Sequence, residues 1–420
     1  MRETGPSQSA LWRNTNFRWL CGGGVISLLG DQFTLIALPW LVLKLSGDPL
    51  ALGGVLAAMG VPRAVLMLVG GALVDRSSPR RILLLTKYAS AALIGLLGAL
   101  VLMGRVDMAL VYVLAAAIGV CSAFAMPAGS ALLPGVLEPA LLAPANGILM
   151  GMRQVAMLFG PLLAGVVIAA GGDAAGGIAD ARGLGIALLL DAFSYLLSAA
   201  TLARVRPLVQ APPAANKPPL LASLKAGLRY CWDDTVLRAC FIYWGAMALF
   251  VSGPLQIAMP LLAERLGGAG TYGSLMAAHG AGMLAGMLLS SVRPGLRIAN
   301  FGTTLLMADG VVGLLFIAMA AAAGMWQALG VLVVLGVIGG YLQVAMMSWL
   351  QRRISLDMLG RGMALLMFLF MGLAPVSAAL SGWLVGIVGL NAIFAGAGLA
   401  MLVVVLFGYV ATPIRHLSET

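Results

Sequence analysis

Apolar residues in this chain run on for twenty or more positions at a time, broken only by short polar stretches. They neither alternate with polar residues, as on a half-buried strand, nor return every third or fourth position, as on a helix with one wet face. A helix needs about 20 mostly apolar residues to cross a bilayer. By that measure the pattern predicts twelve spanning helices, over 17–44, 50–74, 81–104, 108–133, 142–171, 182–205, 236–263, 271–292, 299–323, 325–350, 360–388 and 390–411. A strand barrel is excluded, because its strands would alternate with a period of two. The polar opening MRETGPSQSALWRNTNFRWL is too long for a cleaved leader, so the first span is expected to be retained.

The longest polar break is RVRPLVQAPPAANKPPLLASLKAGLRYCWDDTVLR, with five prolines between Pro207 and Pro219. It divides the chain into a bundle of six spans over 1–205, a linker over 206–235 and a second bundle of six over 236–420. Within the linker, Ser223 to Tyr230 reads as a short amphipathic helix on the membrane surface.

Composition strengthens this reading. The 420 residues are 61 % hydrophobic and 10 % charged, with mean hydropathy +1.02. Soluble domains are about 45–50 % apolar and about 25 % charged. So much apolar surface needs lipid as its solvent. The 55 glycines, many inside spans, suit close helix packing there. The net charge of +10 does not indicate nucleic acid, because the basic residues sit between apolar runs and form no continuous face. Anionic lipid head groups are their expected partner.

Lys and Arg in the loops set orientation. One side collects Arg2, Arg13 and Arg18, then Arg76, Arg80, Arg81 and Lys87, then the linker from Arg204 to Arg238, and finally Arg293, Arg297, Arg352, Arg353, Arg361 and Arg415. The other side has Lys44, Arg105, Arg182 and Arg265. Both termini and the linker are therefore expected to be cytoplasmic, in a bacterial cytoplasmic membrane.

Catalytic chemistry is not indicated. The cysteines Cys21, Cys121, Cys231 and Cys240 and the histidines His279 and His416 show no metal-ligand spacing. The cysteines are expected to be reduced and packed. There is no Ser/His/Asp set and no phosphate loop of the form GxxxxGK[ST]. No cofactor is expected, and without an ATP site any transport draws on an ion gradient or runs passively.

Three stretches carry a resemblance. GGALVDRSSPRR supplies Gly71, Asp75, Arg76, Arg80 and Arg81, which fit G-x-x-x-D-R-x-x-x-R-R; Ser78-Pro79 stands where a glycine usually follows the Asp-Arg pair. GMRQVAMLFGPLLAG supplies Gly160, Pro161 and Gly165 of a G-x-x-x-G-P-x-x-G pattern, with Ala156 for its first glycine and Gly165 one residue late. NFRWLCGGGVISLLGDQFTLIALPWLVLKLSGDPLALGGVLAAMGVPRAV and QRRISLDMLGRGMALLMFLFMGLAPVSAALSGWLVG extend the likeness over nearly the whole chain. The sequence resembles the major facilitator superfamily, in its branch of macrolide-efflux and enterobactin-exporter proteins. That resemblance implies an all-α membrane protein of two pseudo-symmetric six-helix bundles that alternate a central site between the two sides. It also implies a cytoplasmic latch at Gly71, Asp75, Arg76, Arg80 and Arg81, and an antiporter-like motif in the fifth helix at Gly160, Pro161 and Gly165. The second-half counterpart of the latch, SSVRPGLRI with Arg293 and Arg297, has lost its acid, and the arginine motif common in the fourth helix of drug–proton antiporters is absent.

Charges inside spans are costly and mark function or pairing. Asp31 lies mid-span in SLLGDQFT. It is read as a proton-coupling site or a contact for a cationic substrate, and equally as a structural partner of Arg63 or Arg153. Arg63 is read as a gating or structural partner of an Asp. Arg153 is read as a cavity charge or as a group paired near the helix end. Asp191, Ser194 and Tyr195 share one helix face and are expected to make a polar interhelical contact. Asp309 is expected to be structural, and His279 a packed neutral histidine. Gln32, Gln256 and Gln343 are cavity-lining candidates, and some of the 24 methionines suit a cavity for varied apolar ligands.

The expectation is a monomeric, proton-coupled exporter of amphipathic small molecules, drugs or siderophore-like metabolites, with protons and membrane lipids as its other partners. A metabolite or lipid carrier of the same fold is the alternative. A membrane sensor or enzyme is the more distant one.

Overall fold

The computed structural model describes residues 8–172, 181–206, 220–293, 296 and 299–417. Among them are fifteen α-helices and no strands. Helix α1 is Gln8–Arg13, α2 Thr15–Ser46, α3 Pro49–Arg76, α4 Pro79–Leu102, α5 Met108–Leu132, α6 Pro139–Gly171 and α7 Arg182–Leu202. Helix α8 is Leu220–Asp233, α9 Thr235–Gly253, α10 Met259–Leu266, α11 Ala269–Val292, α12 Phe301–Ala320, α13 Met325–Arg353, α14 Leu356–Val388 and α15 Leu390–Ala411. Twelve spans among the described residues are long and apolar enough to cross a membrane. A π-turn at Pro254–Ala258 joins α9 and α10 into one of them, Thr235–Leu266.

Local chemistry explains several helix starts. Asn14 accepts from the Phe17 N–H at 3.1 Å, Asp107 from Leu110 at 2.8 Å and Asn300 from Thr303 at 2.8 Å. Each occupies an N-cap and satisfies an otherwise orphaned donor. Proline opens α3, α4 and α6, where its missing N–H costs nothing.

The chain forms two compact units, Met1–Gly47 with Ala58–Lys217, and Asp48–Ala57 with Pro218–Thr420. These bounds differ from the division at 205 and 236 expected from the sequence. Helix α8 packs on α9 and α14, which draws the end of the linker into the second unit. Residues 48–57 join it because a Cβ at Gly53 would lie only 2.8 Å from the Ala378 carbonyl oxygen, so the two backbones touch.

In the first unit α2 and α4 each pack on α7, with α5 against α4 and α6 against α2 and α7. In the second, α11 packs along α13, α12 along α15 and α9 along α14. The α11–α13 contact is made by glycines. A Cβ at Gly282, Gly286, Gly336 or Gly340 would overlap a carbonyl oxygen of the facing helix. Apolar lipid gives no solvent-driven reason for helices to associate, so such backbone-to-backbone packing carries the association.

Candidate functional site

Helix α2 has 32 residues. At 1.5 Å per residue, Asp31 lies about 24 Å from the helix start, near its midpoint. The Tyr195 hydroxyl of α7 donates to the Asp31 carboxylate. Lys87 on α4 and Arg153 on α6 both act on it electrostatically. Arg63, a partner considered from the sequence, is not among these groups; its Nε is buried with no hydrogen-bond partner among the described residues.

Three residues further along α2, Thr34 donates to Asp191 Oδ2 of α7. Ser194 donates to Asp191 Oδ1 at 3.3 Å, and Asp191 is fully buried. Thus α2 and α7 are joined by two antiparallel rungs, Asp31 with Tyr195 and Thr34 with Asp191. Gly30 permits this approach. A Cβ there would overlap the Ser194 hydroxyl and stand 2.6 Å from Asp191 Oδ1.

Lys87 corrects the sequence reading, which counted it among cytoplasmic loop charges. Proline opens α4 at position 79, so Lys87 lies about 12 Å inside the helix. Its ammonium donates to Ser27 Oγ at 3.2 Å and stands 5.3 Å from the centroid of the Tyr195 ring, a cation–π contact. It also acts electrostatically on Asp31 and Asp191. Counting spans from residue 81 left Lys87 near an end, where lysines usually snorkel to water. The overlooked signal was the distance of Lys87 from Pro79, which opens the helix.

Other sequence candidates fall elsewhere. Gln32 packs against α6, where a Cβ at Gly160 would overlap its Cγ, so the Gly160-Pro161 step serves close packing of α2 on α6. Gly165 is buried in the same helix. Beside that contact, Val25 and Leu29 of α2 and Ile148, Met152 and Val155 of α6 line an apolar cleft of about 400 Å³. Cys21 donates to the Met152 sulfur at 3.1 Å close by. Arg80 donates to the Leu202 and Ala203 carbonyls at 3.4 and 2.6 Å, capping the end of α7 within its own unit. Arg81 is exposed. The surroundings of Gly71, the side chains of Asp75 and Arg76, and all of Arg297 lie outside what the structure describes.

In the second unit, Tyr243 donates to Asp309 Oδ2 at 2.7 Å, with both side chains buried. The His279 ring is hydrogen-bonded to the Leu332 backbone, while its Nδ1 has no partner among the described residues. Gln256 sits in the π-turn, and Gln343 is exposed on α13. At the membrane edge, Asp234 caps α9 through the Val236 and Leu237 N–H groups and accepts from Arg353 at 2.7 Å. Burial alone would raise the Asp234 carboxyl, but the Leu237 N–H, the Arg353 guanidinium and the Val236 N–H outweigh it and hold it below the usual carboxylate range. No group of three or more metal-ligating side chains occurs among the described residues.

Twelve apolar helices in two units, with a polar cluster inside the first, define a multi-pass membrane protein. The Major Facilitator Superfamily model matches residues 20–379, and the chain belongs to that superfamily, whose members are transporters rather than enzymes. The multidrug efflux pump Tap of Mycolicibacterium fortuitum is 29 % identical over 219 residues, 51 % of this chain and 51 % of that protein. The chain therefore spans about half the length of this curated relative. Among solved structures, a bacterial homologue of the human lysosomal transporter Spinster is 13 % identical, with 99 % of this chain and 98 % of that chain covered and a TM-score of 0.69. The nucleoside transporter NupG is 12 % identical over 94 % and 98 %, with a TM-score of 0.68. A bacterial homologue of the iron transporter ferroportin is 16 % identical over 96 % and 100 %, with a TM-score of 0.68. At these identities the likeness to solved structures shows the fold alone.

Proposed function

We propose that this transporter exports amphipathic small molecules from a bacterial cell, against an inward flow of protons, by alternating access. The observation that carries the reading is Asp31, a carboxylate halfway along a spanning helix, held by a tyrosine hydroxyl with Lys87 and Arg153 nearby. A carboxylate so placed, with cations beside it, is suited to taking up and releasing a proton as its surroundings change. Export is supported by the likeness of half the chain to a multidrug efflux pump. The apolar cleft between α2 and α6 suits the apolar part of such a cargo. The proton gradient replaces any cofactor. The protein works as a monomer in the bacterial inner membrane, with lipid head groups around its basic loops and both termini in the cytoplasm. The Lys and Arg asymmetry supports this orientation without Lys87.

The test is accumulation of a panel of dyes and antibiotics in cells lacking their own efflux pumps, with and without this protein. Lower accumulation that a protonophore reverses is the expected result. Unchanged accumulation across the panel, with the protein present in the membrane, would contradict drug export and favour a dedicated metabolite or lipid carrier.

A further inference from the structure

The first unit places two carboxylates around one lysine, and this carries an inference beyond Asp31 alone. Asp31 and Asp191 stand on facing helices, and Lys87 approaches from a third. Ser27, which holds the ammonium, lies one helical turn before Asp31 on α2. Tyr195, whose ring the ammonium faces, lies one turn after Asp191 on α7. Lys87 is thus held by α2 and α7 together, and among the described residues no ion pair joins it to either carboxylate. Hydroxyls serve the carboxylates instead: Tyr195 donates to Asp31, and Thr34 and Ser194 donate to Asp191. An ammonium has three donors, of which Ser27 takes one. Two therefore remain for two nearby carboxylates.

We propose that Asp31, Asp191 and Lys87 form one shared proton-binding site, in which Lys87 is the resident counter-ion of both carboxylates and turns to Asp191 when Asp31 takes a proton. The inference rests on the reading of Asp31 as the coupling residue and adds Asp191 and Lys87 to it. When the proton binds, it bonds to an Asp31 carboxylate oxygen and that group becomes neutral. Lys87 keeps its own proton and its charge throughout. Asp191 is then the remaining carboxylate that can accept from the ammonium. Tyr195 is the positioning residue, since its hydroxyl serves Asp31 and its ring faces Lys87. The remaining groups facing the cluster are Arg153 on α6, whose side chain is exposed, and Cys121 on α5, which faces Tyr195. The second is neutral as a thiol.

The test uses the full-length protein in lipid and follows the infrared C=O stretch of protonated carboxyl groups across pH, with protons as the only ligand. Asp31→Asn and Asp191→Asn assign the bands. Removing a close opposite charge moves a carboxyl midpoint by about one unit or more. Lys87→Met is expected to move the Asp31 midpoint by that amount. Lys87→Met with Asp191→Asn, which restores the charge balance, is expected to bring it back close to the wild-type value. Lys87→Arg keeps the charge and is expected to stay close to wild type, which separates charge from folding. If the Asp31 band is present but Lys87→Met leaves its midpoint in place, the shared site is overturned while the Asp31 reading stands. If no band is lost in Asp31→Asn, the Asp31 reading fails and the shared site fails with it.

Discussion

Two neighbouring glycines of α13 respond in opposite senses to the same substitution if packing has been read correctly. Around Gly339 nothing lies within 4 Å of an added Cβ. At Gly340 the Cβ would overlap the Met283 carbonyl oxygen and stand 2.8 Å from its carbonyl carbon and 2.9 Å from its Cα. These are backbone atoms of α11, so relief requires the helices to separate. Gly339→Ala should gain about 0.5–1 kcal/mol from backbone preference alone. Gly340→Ala gains the same preference but overpacks the interface, at a cost of about 1–3 kcal/mol. The two variants should therefore differ by about 1–3 kcal/mol. For a unit of roughly 200 residues this is a separation in melting temperature of about 2–4 °C per kcal/mol. The assay is thermal unfolding of both variants in one detergent, beside the wild type. Equal shifts in the same direction would refute the reading that α11 and α13 meet backbone to backbone at Gly340.

Other consequences are as direct. Tyr243→Phe strands the buried Asp309 and should cost about 1–2 kcal/mol, while adding Asp309→Leu should recover much of that loss; additive losses in thermal melts would contradict the pairing. Asp234→Ala should cost about 1 kcal/mol, chiefly through the lost cap, because its ion pair with Arg353 is partly exposed. Since the Asp234 carboxyl is held below its usual value, its contribution is complete above an unfolded-state value of about 3.9 and disappears as pH falls through the lower folded value. The melting gap between wild type and Asp234→Ala should accordingly close in acid, and a gap independent of pH would contradict this. Asp75→Asn should impair transport with the protein still in the membrane; full transport by that variant would remove Asp75 from the proposed latch.

Spanning helices were legible because each needs only a local run of apolar residues. The expected 325–350 became Met325–Arg353, and 108–133 became Met108–Leu132. The π-turn after Gly253 was not legible, because it depends on a residue of another helix. There the Ser377 hydroxyl enters the ladder of α9, donating to the Leu249 carbonyl and accepting from the Gly253 N–H. The same limit governed the candidate site. Asp31 was visible as a charge in an apolar run, and Asp191, Ser194 and Tyr195 as one helix face. That Asp31 meets Tyr195, with Lys87 rather than Arg63 as a nearby cation, follows from which helices are neighbours, and no short stretch of sequence contains that information. Lys87 was misplaced because loop charge and buried counter-ion look alike near a helix end. For Gln32, the sequence could not show that its stem packs against Gly160.

The central claim is proton coupling through Asp31. It is tested most directly with purified protein in liposomes, using an exported dye identified from the cell panel. A pH gradient is imposed across the liposome membrane, and proton flux is recorded together with dye movement. Wild type should move protons down the gradient in step with dye moving against its own, and Asp31→Asn should lose both fluxes while still binding the dye. Gradient-driven dye movement that persists in Asp31→Asn would contradict the account.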